Sequence, residues 1–205
     1  MYKKMISTIF DNQGINNEKL FEAFIKFDRK DFVVSQYAKY AYDDRPLPIG
    51  HNATISQPTT VLFMLINLSV ELGDTVLEIG FGSGWQTAIL SDLVGKNGKV
   101  VAYEIILQLY DFGKENLKKY NLNNIELRQG NAMAVVDENL QFDRIIAGAA
   151  FNKIPTRLLE KLNNGGKMVV PTQNNDVLVM EKDKEGKISQ KIFEGFIFVP
   201  IQNEQ

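Results

Sequence analysis

Cysteine is absent from all 205 residues, and histidine occurs once, as His51. The first absence excludes disulfide scaffolds, cysteine-type zinc sites, iron–sulfur clusters and thiol nucleophiles. The second excludes any site that needs two imidazoles, and no metal site is expected. Charge of one sign is also missing: 23 Lys and Arg face 25 Asp and Glu, a formal net charge of -2. Binding to nucleic acid or to an anionic membrane through bulk charge is therefore not expected. No apolar run reaches membrane-spanning length, and the few apolar residues between Met1 and Phe10 are too short a run for a secretory core. These absences lead to an expectation of a soluble cytoplasmic protein, with a monomer as the default state. With 44% hydrophobic and 23% charged residues, the chain has the composition and length to build a substantial core.

Along the chain, Leu20, Phe21, Phe24 and Phe27 recur at helical spacing after Asn17, which predicts a capped helix over Glu18 to Phe27. Asp43 to Pro58 carries three prolines and Gly50, which argues against regular structure and marks a loop suited to function. Helical periodicity resumes from Thr59 to Leu72. Beyond Gly73 short apolar strands alternate with amphipathic helices. Strands are expected at Thr75 to Ile79, Lys99 to Tyr103, Ile125 to Leu127, Arg144 to Ala147 and Lys167 to Val170. Helices are expected near Gln86 to Val94, Leu107 to Tyr120 and Pro155 to Leu162. This alternation predicts an α/β fold with a doubly wound, mostly parallel sheet covered on both faces. Gly95 to Gly98 and Gly165-Gly166 stand where helices should stop and strands begin. Two further strands flank Lys184-Glu185-Gly186 as an antiparallel pair at one edge. A single domain over 1–205 is expected, divided into N-terminal helices and loop (1–58), a core (59–171) and C-terminal strands (172–205).

The most informative stretch is Val76-Leu77-Glu78-Ile79-Gly80-Phe81-Gly82-Ser83-Gly84-Trp85, a strand that runs through three alternate glycines into a helix. Glycines at such a turn let the backbone pass close under a ligand at the carboxyl end of the sheet. Trp85 stands where a dinucleotide fingerprint wants glycine, so pyrophosphate binding is disfavoured and a nucleoside ligand is favoured. Glu104 ends the next strand, where a carboxylate can accept both hydroxyls of a ribose. The plain alternative is a glycine-rich turn in another doubly wound fold, with Glu104 solvated.

Acidic-x-Gly-x-Gly-x-Gly resembles motif I of the Rossmann-like methyltransferases that use S-adenosylmethionine. After the fourth expected strand the chain reads Ala147-Gly148-Ala149-Ala150. That is neither the Asn/Asp-Pro-Pro-aromatic motif of base N-methyltransferases nor the carboxylate set of metal-assisted catechol enzymes. An acceptor that needs no general base fits better, and a carboxylate is already ionised at neutral pH. The segment Arg45-Pro46-Leu47-Pro48-Ile49-Gly50-His51-Asn52-Ala53-Thr54-Ile55-Ser56-Gln57-Pro58 resembles the signature loop of the protein-L-isoaspartate O-methyltransferases, at the same place ahead of motif I. The likeness extends through Phe32-Val33, Ala41-Tyr42, Gly148-Ala149-Ala150, Ile154-Pro155, Gly165-Gly166, Val170-Pro171 and Phe198-Val199-Pro200.

The resemblance implies a Rossmann-like S-adenosylmethionine-dependent methyltransferase fold, with an N-terminal helical extension and extra C-terminal strands whose order differs from other methyltransferases. It implies transfer of a methyl group to the α-carboxylate of L-isoaspartyl residues in damaged peptides and proteins, with S-adenosylhomocysteine as the other product. Repair then proceeds through a succinimide. Two other readings are carried: esterification of ordinary aspartate in a dedicated peptide partner, suggested by Phe151-Asn152, and a noncatalytic binding module. By the same resemblance Ser56 is the active-site residue; the residue chemistry assigns it to orienting a carboxylate rather than to covalent attack, the alternative being a loop or cap hydroxyl. Cofactor contacts are expected from Thr54, Ile55, Ser56, Glu78, Gly80, Phe81, Gly82, Ser83, Gly84, Glu104, Ile105, Gly130, Asn131 and Ala132. His51 reads as a solvated loop residue, and Trp85 and the Phe81 side chain as either pocket borders or packing groups. The chain departs from the family at Gly130-Asn131-Ala132, where Gly-Asp-Gly is usual, at Phe151-Asn152, where Ala-Pro is usual beside the substrate pocket, and at Ile105, where a basic residue is common. Ala132 would be strained if that position takes a positive φ.

Overall fold

The fold is described from a computed structural model that covers residues 1–135 and 140–202. The last three residues of the expected C-terminal segment, 203–205, lie outside the described residues. Seven strands form the main sheet: β3 (Thr75–Ile79), β4 (Lys99–Glu104), β5 (Ile125–Gln129), β6 (Phe142–Ala147), β7 (Leu162–Thr172), β8 (Asp176–Lys182) and β9 (Ile188–Glu194). Their order is β5-β4-β3-β6-β7-β8-β9, with the first five parallel and the last two antiparallel. The chain leaves β3 toward β4 on one side and returns to β6 on the other, so β3 stands at the switch point where such sheets hold ligands.

Alternate residues of each strand serve different cores. Val76, Val100, Ala102, Ile146 and Val169 face one apolar cluster, which also holds Phe24, Leu62 and Trp85. Leu77, Val101, Ile145, Met168 and Val170 face a second, with Phe142, Phe151 and Leu158. The first cluster gathers α1 (Tyr2–Asn12), α2 (Glu18–Lys26), α3 (Pro58–Leu68), α4 (Trp85–Val94) and α5 (Leu107–Leu117); the short α7 (Thr156–Lys161) covers the other face. Asn17 caps α2 by accepting from the Leu20 amide. Helix α1 was not singled out by periodicity; its apolar face buries Tyr2, Ile6, Ile9 and Phe10.

Three expectations are corrected. The segment 43–58 is not irregular: β1 (Leu47–Gly50) and β2 (Ala53–Ile55) form an antiparallel hairpin. Leu47 and Ile49 alternate inward while Pro48 and Gly50 face out. Proline is tolerated because this two-stranded ribbon offers an edge. The turn places His51 and Asn52 at φ of 50° and 57°, both left-handed as a tight type I′ connection requires. Second, Gly165-Gly166 does not precede the strand but lies within β7, which begins at Leu162; Gly165 takes φ +82° and its amide donates to Asp183 O. Third, α3 ends at Leu68 rather than Leu72, because Ser69 adopts a left-handed cap at φ 52°.

Candidate active site

The site begins where β3 runs out. Beyond Ile79 the amides of Gly80 and Phe81 both donate to Tyr103 O, and the Gly82 amide donates to Glu104 Oε2 at 3.0 Å. Glu104 Oε1 accepts from the Ile106 amide, also at 3.0 Å. One buried carboxylate therefore ties the glycine turn to the end of β4. Burial raises its pKa, and the backbone N–H groups of Ile106, Gly82 and Ile105 oppose that rise. A carboxylate has about four lone-pair positions, so Glu104 retains acceptor capacity toward a ligand.

Around this point lies a cavity of about 320 Å³, within the usual size of small-molecule sites. The hairpin supplies Ile49, His51, Asn52, Ala53 and Thr54, the glycine turn supplies Gly80 and Gly82, and β4 with the start of α5 supplies Tyr103 to Ile106 and Leu109. Gly130, Asn131 and Ala132 form another wall, Gly148 and Ala149 the floor beside β6, and Val199 to Gln202 the far rim. A narrower crevice adjoins it, sharing Thr54, Gly80, Gly82 and Gly148 and lined further by Ile55, Ser56, Glu78, Phe81, Ser83 and Gln86. Thirteen of the fourteen residues expected from sequence thus line one or the other space.

Gly84 lines neither. A Cβ there would meet Leu117 Cγ at 2.9 Å and Gly113 O at 3.1 Å, so this glycine serves the packing of α4 on α5. The Phe81 ring lies 5.8 Å from Tyr110 and covers Gly113, and Trp85 is 1% exposed; both are packing groups, though their residues also touch the crevice. Ala132 carries no positive φ: it opens the short helix α6 (Ala132–Val135), so alanine is unstrained, and Gly130 takes φ +133° instead. Asn131 Oδ1 accepts from the Met133 amide. Phe151 is fully buried in the second core, with its amide on Pro171 O, and it does not line the cavity.

Sequence reading missed Ile49, Asn52, Ala53, Tyr103, Ile106, Leu109, Ala149 and the rim at Val199–Gln202. The rim reaches the site through a parallel bridge: Ala150 donates to Val199 O, and Ile201 donates to Ala150 O. Gly148 carries its own signal in retrospect. A Cβ on it would come within 2.6 Å of Gly80 O, so two stretches of backbone meet there.

Glu78, on the crevice wall, is 1% exposed; Oε1 accepts from Gln86 Nε2, and the buried Thr87 hydroxyl also interacts with the carboxyl group. Burial pushes its pKa up to about 7, and the charge of Glu104 adds to the rise. A carboxyl whose pKa is raised by folding binds its proton more tightly in the native state. The cost is absent below the unfolded value and grows as pH rises from about 4.5 toward 7. Glu78→Gln is therefore expected to gain stability over the wild-type protein progressively across that window in urea unfolding. A difference that stays constant with pH would contradict the assignment.

Comparison with known proteins gives four findings. A model of the family "Protein-L-isoaspartate(D-aspartate) O-methyltransferase" matches residues 1–205. The chain is 37% identical over 204 residues to a protein-L-isoaspartate O-methyltransferase of Dictyoglomus turgidum, covering 98% of this chain and 91% of that one. It is 36% identical over 190 residues to protein-L-isoaspartate O-methyltransferase 2 of Archaeoglobus fulgidus, covering 92% and 87%. In fold it is similar to a Plasmodium falciparum protein described as a putative enzyme of the same name in complex with S-adenosyl-L-homocysteine. The TM-score is 0.86 at 22% identity, with 99% of each chain covered. The glycine turn, the hairpin ahead of it and a family match over the whole length lead to one conclusion: the chain belongs to the protein-L-isoaspartate O-methyltransferases, which are S-adenosylmethionine-dependent enzymes.

Proposed function

We propose that this enzyme holds S-adenosylmethionine in the 320 Å³ cavity and presents the α-carboxylate of an L-isoaspartyl residue through the crevice lined by Ser56. The observation that carries the reading is that the two spaces lie side by side, sharing Thr54, Gly80, Gly82 and Gly148 in their walls. The residues present fit the cofactor. Glu104 has acceptor positions for two ribose hydroxyls, and Ile105, Ile106, Leu109 and Ala132 offer apolar surface for a base beside Gly130 and Asn131. A side chain at Gly82 would press on Ile49 at 3.2 Å, so glycine keeps that floor open.

When bound, the cofactor supplies an electrophilic methyl group on sulfonium sulfur. The acceptor carboxylate needs no base, so the protein's task is to place it in line and keep water away. In this reading the Ser56 hydroxyl, on the crevice wall, donates to one carboxylate oxygen and leaves the other to attack. The hairpin and the Val199–Gln202 segment both contribute to the cavity wall. The methyl ester so formed loses methanol when the next backbone nitrogen attacks it, and the resulting succinimide opens partly to normal aspartate. A cysteine-free chain suits the cytosol, and among the described residues no helix is long and apolar enough to cross a membrane.

Labelled S-adenosylmethionine and a matched pair of peptides, one isoaspartyl and one aspartyl, test this reading. Base-labile label is expected in the isoaspartyl peptide at no less than about tenfold the aspartyl rate, the tenfold being about 1.4 kcal/mol of discrimination. Equal labelling of the two, or none in either, would refute it.

A further inference from the structure

We infer that Arg29 is a positioning residue for methyl transfer, locking the hairpin and Ser56 in place by gathering four backbone carbonyls onto one guanidinium. The inference rests on the assignment of Ser56 made above. Arg29 is completely buried, yet among the described residues no carboxylate hydrogen-bonds to it. Its Nη1 donates to Ala41 O at 2.9 Å and Asp43 O at 3.2 Å; its Nη2 donates to Arg45 O at 2.9 Å and Ser56 O at 3.0 Å. Three of these carbonyls lie on the entry to the hairpin and the fourth on its exit. The guanidinium thus closes the base of the loop that carries β1, the turn at His51-Asn52, β2 and Ser56.

A bare cation in the interior is expensive, and burial pulls the pKa of Arg29 down to about 10. Two features reduce that cost besides the carbonyls. The guanidinium carbon lies 5.6 Å from the centroid of the Trp85 ring, and Asp43 and Asp44 contribute nearby negative charge. Trp85 in turn donates from Nε1 to Phe27 O at 3.0 Å and is the first residue of α4, directly after the glycine turn. One connected set of contacts therefore joins the cofactor turn, through Trp85 and Arg29, to the backbone of Ser56. Lysine cannot replace this arrangement, because its three donors radiate from one point, whereas the planar fork spans carbonyls from both ends of the loop. Asp44 adds a second, exposed clasp by accepting from the amide and hydroxyl of Thr59. That clasp holds the entry of the loop to α3 and does not reach Ser56 directly.

Arg29→Lys and Arg29→Gln test the inference, each assayed well below its own Tm with saturating cofactor. The expected result is a fall in kcat for an isoaspartyl peptide of at least about 20-fold, as displacement of positioned groups produces, with S-adenosylhomocysteine affinity changed several-fold less. Hydrogen exchange is expected to accelerate in the amides of Leu47–Ile55 and to stay slow in β3 and β4. A residue with a merely structural role would lower Tm and leave both the kcat of the folded enzyme and the local exchange pattern at wild-type values; that result overturns the inference. Should neither variant fold, Trp85→Phe removes the link to Phe27 more gently. A drop in kcat of about fivefold with faster hairpin exchange supports the inference, and wild-type values of both overturn it. Exchange is read without peptide or cofactor, so failure of the loop lock and failure of the methyl-transfer reading give different results.

Discussion

Replacing Glu104 with alanine is expected to weaken S-adenosylhomocysteine binding by roughly 100-fold or more, about 3 kcal/mol, in calorimetric titration. The figure follows from what the side chain holds. Its two oxygens already accept from the amides of Gly82 and Ile106 at 3.0 Å each. A ribose would add charge-assisted bonds, each worth about 1.5–3 kcal/mol when the partner is lost from a buried site. The alanine variant loses both roles, since the glycine turn is released as the ribose partner disappears. Glu104→Gln separates them. Its one remaining carbonyl oxygen can keep one of the two amides, so the turn is partly retained while the charge is gone, and an intermediate loss is expected. If both variants bind S-adenosylhomocysteine as the wild-type protein does, the ribose lies elsewhere.

The second large effect is expected on rate rather than affinity. Ser56→Ala should reduce kcat for isoaspartyl peptide by about 100-fold, the scale associated with loss of alignment between reacting groups, while S-adenosylhomocysteine binds within about threefold of wild type. The split follows from location: Ser56 lines the crevice but not the larger cavity. Removing a hydroxyl leaves the backbone bond from Arg29 to Ser56 O intact, so the hairpin should hold its place. A wild-type kcat in this variant would make Ser56 a simple loop hydroxyl.

How far the sequence speaks can be judged residue by residue. The central strands were legible because they are short, largely apolar runs set between helical segments; Thr75–Ile79 matches the expected strand end for end. The glycine turn was legible because Gly80 and Gly82 take left-handed φ and Glu104 reaches back to them, a short-range pattern of residue types. The hairpin was not. Pro48 and Gly50 read as breakers, while the alternation of Leu47 and Ile49 is too short to outweigh them, and only tertiary burial makes it a strand.

Arg29 was invisible for a different reason. Its partners are carbonyl groups, which every residue carries, so no residue type marks them. The rim at Val199–Gln202 lies more than a hundred residues from the glycine turn and is brought to the site by the bridge at Ala150. Gly84 was assigned to the cofactor because the motif groups it with Gly80 and Gly82, yet α5 packs where its Cβ would stand. Phe151 shows the converse. As a departure from the family pattern it suggested a change in substrate, but its ring sits in the core against Leu158 and its neighbours.

The most direct measurement of the central claim is a crystal structure with S-adenosylhomocysteine and an isoaspartyl peptide bound together. The account predicts the ribose on Glu104, the base against Gly130–Ala132 and Leu109, and the sulfur turned toward the crevice, with one oxygen of the isoaspartyl α-carboxylate on the Ser56 hydroxyl. A nucleoside seated away from Glu104, or a carboxylate that reaches the sulfur from a side remote from Ser56, would contradict it.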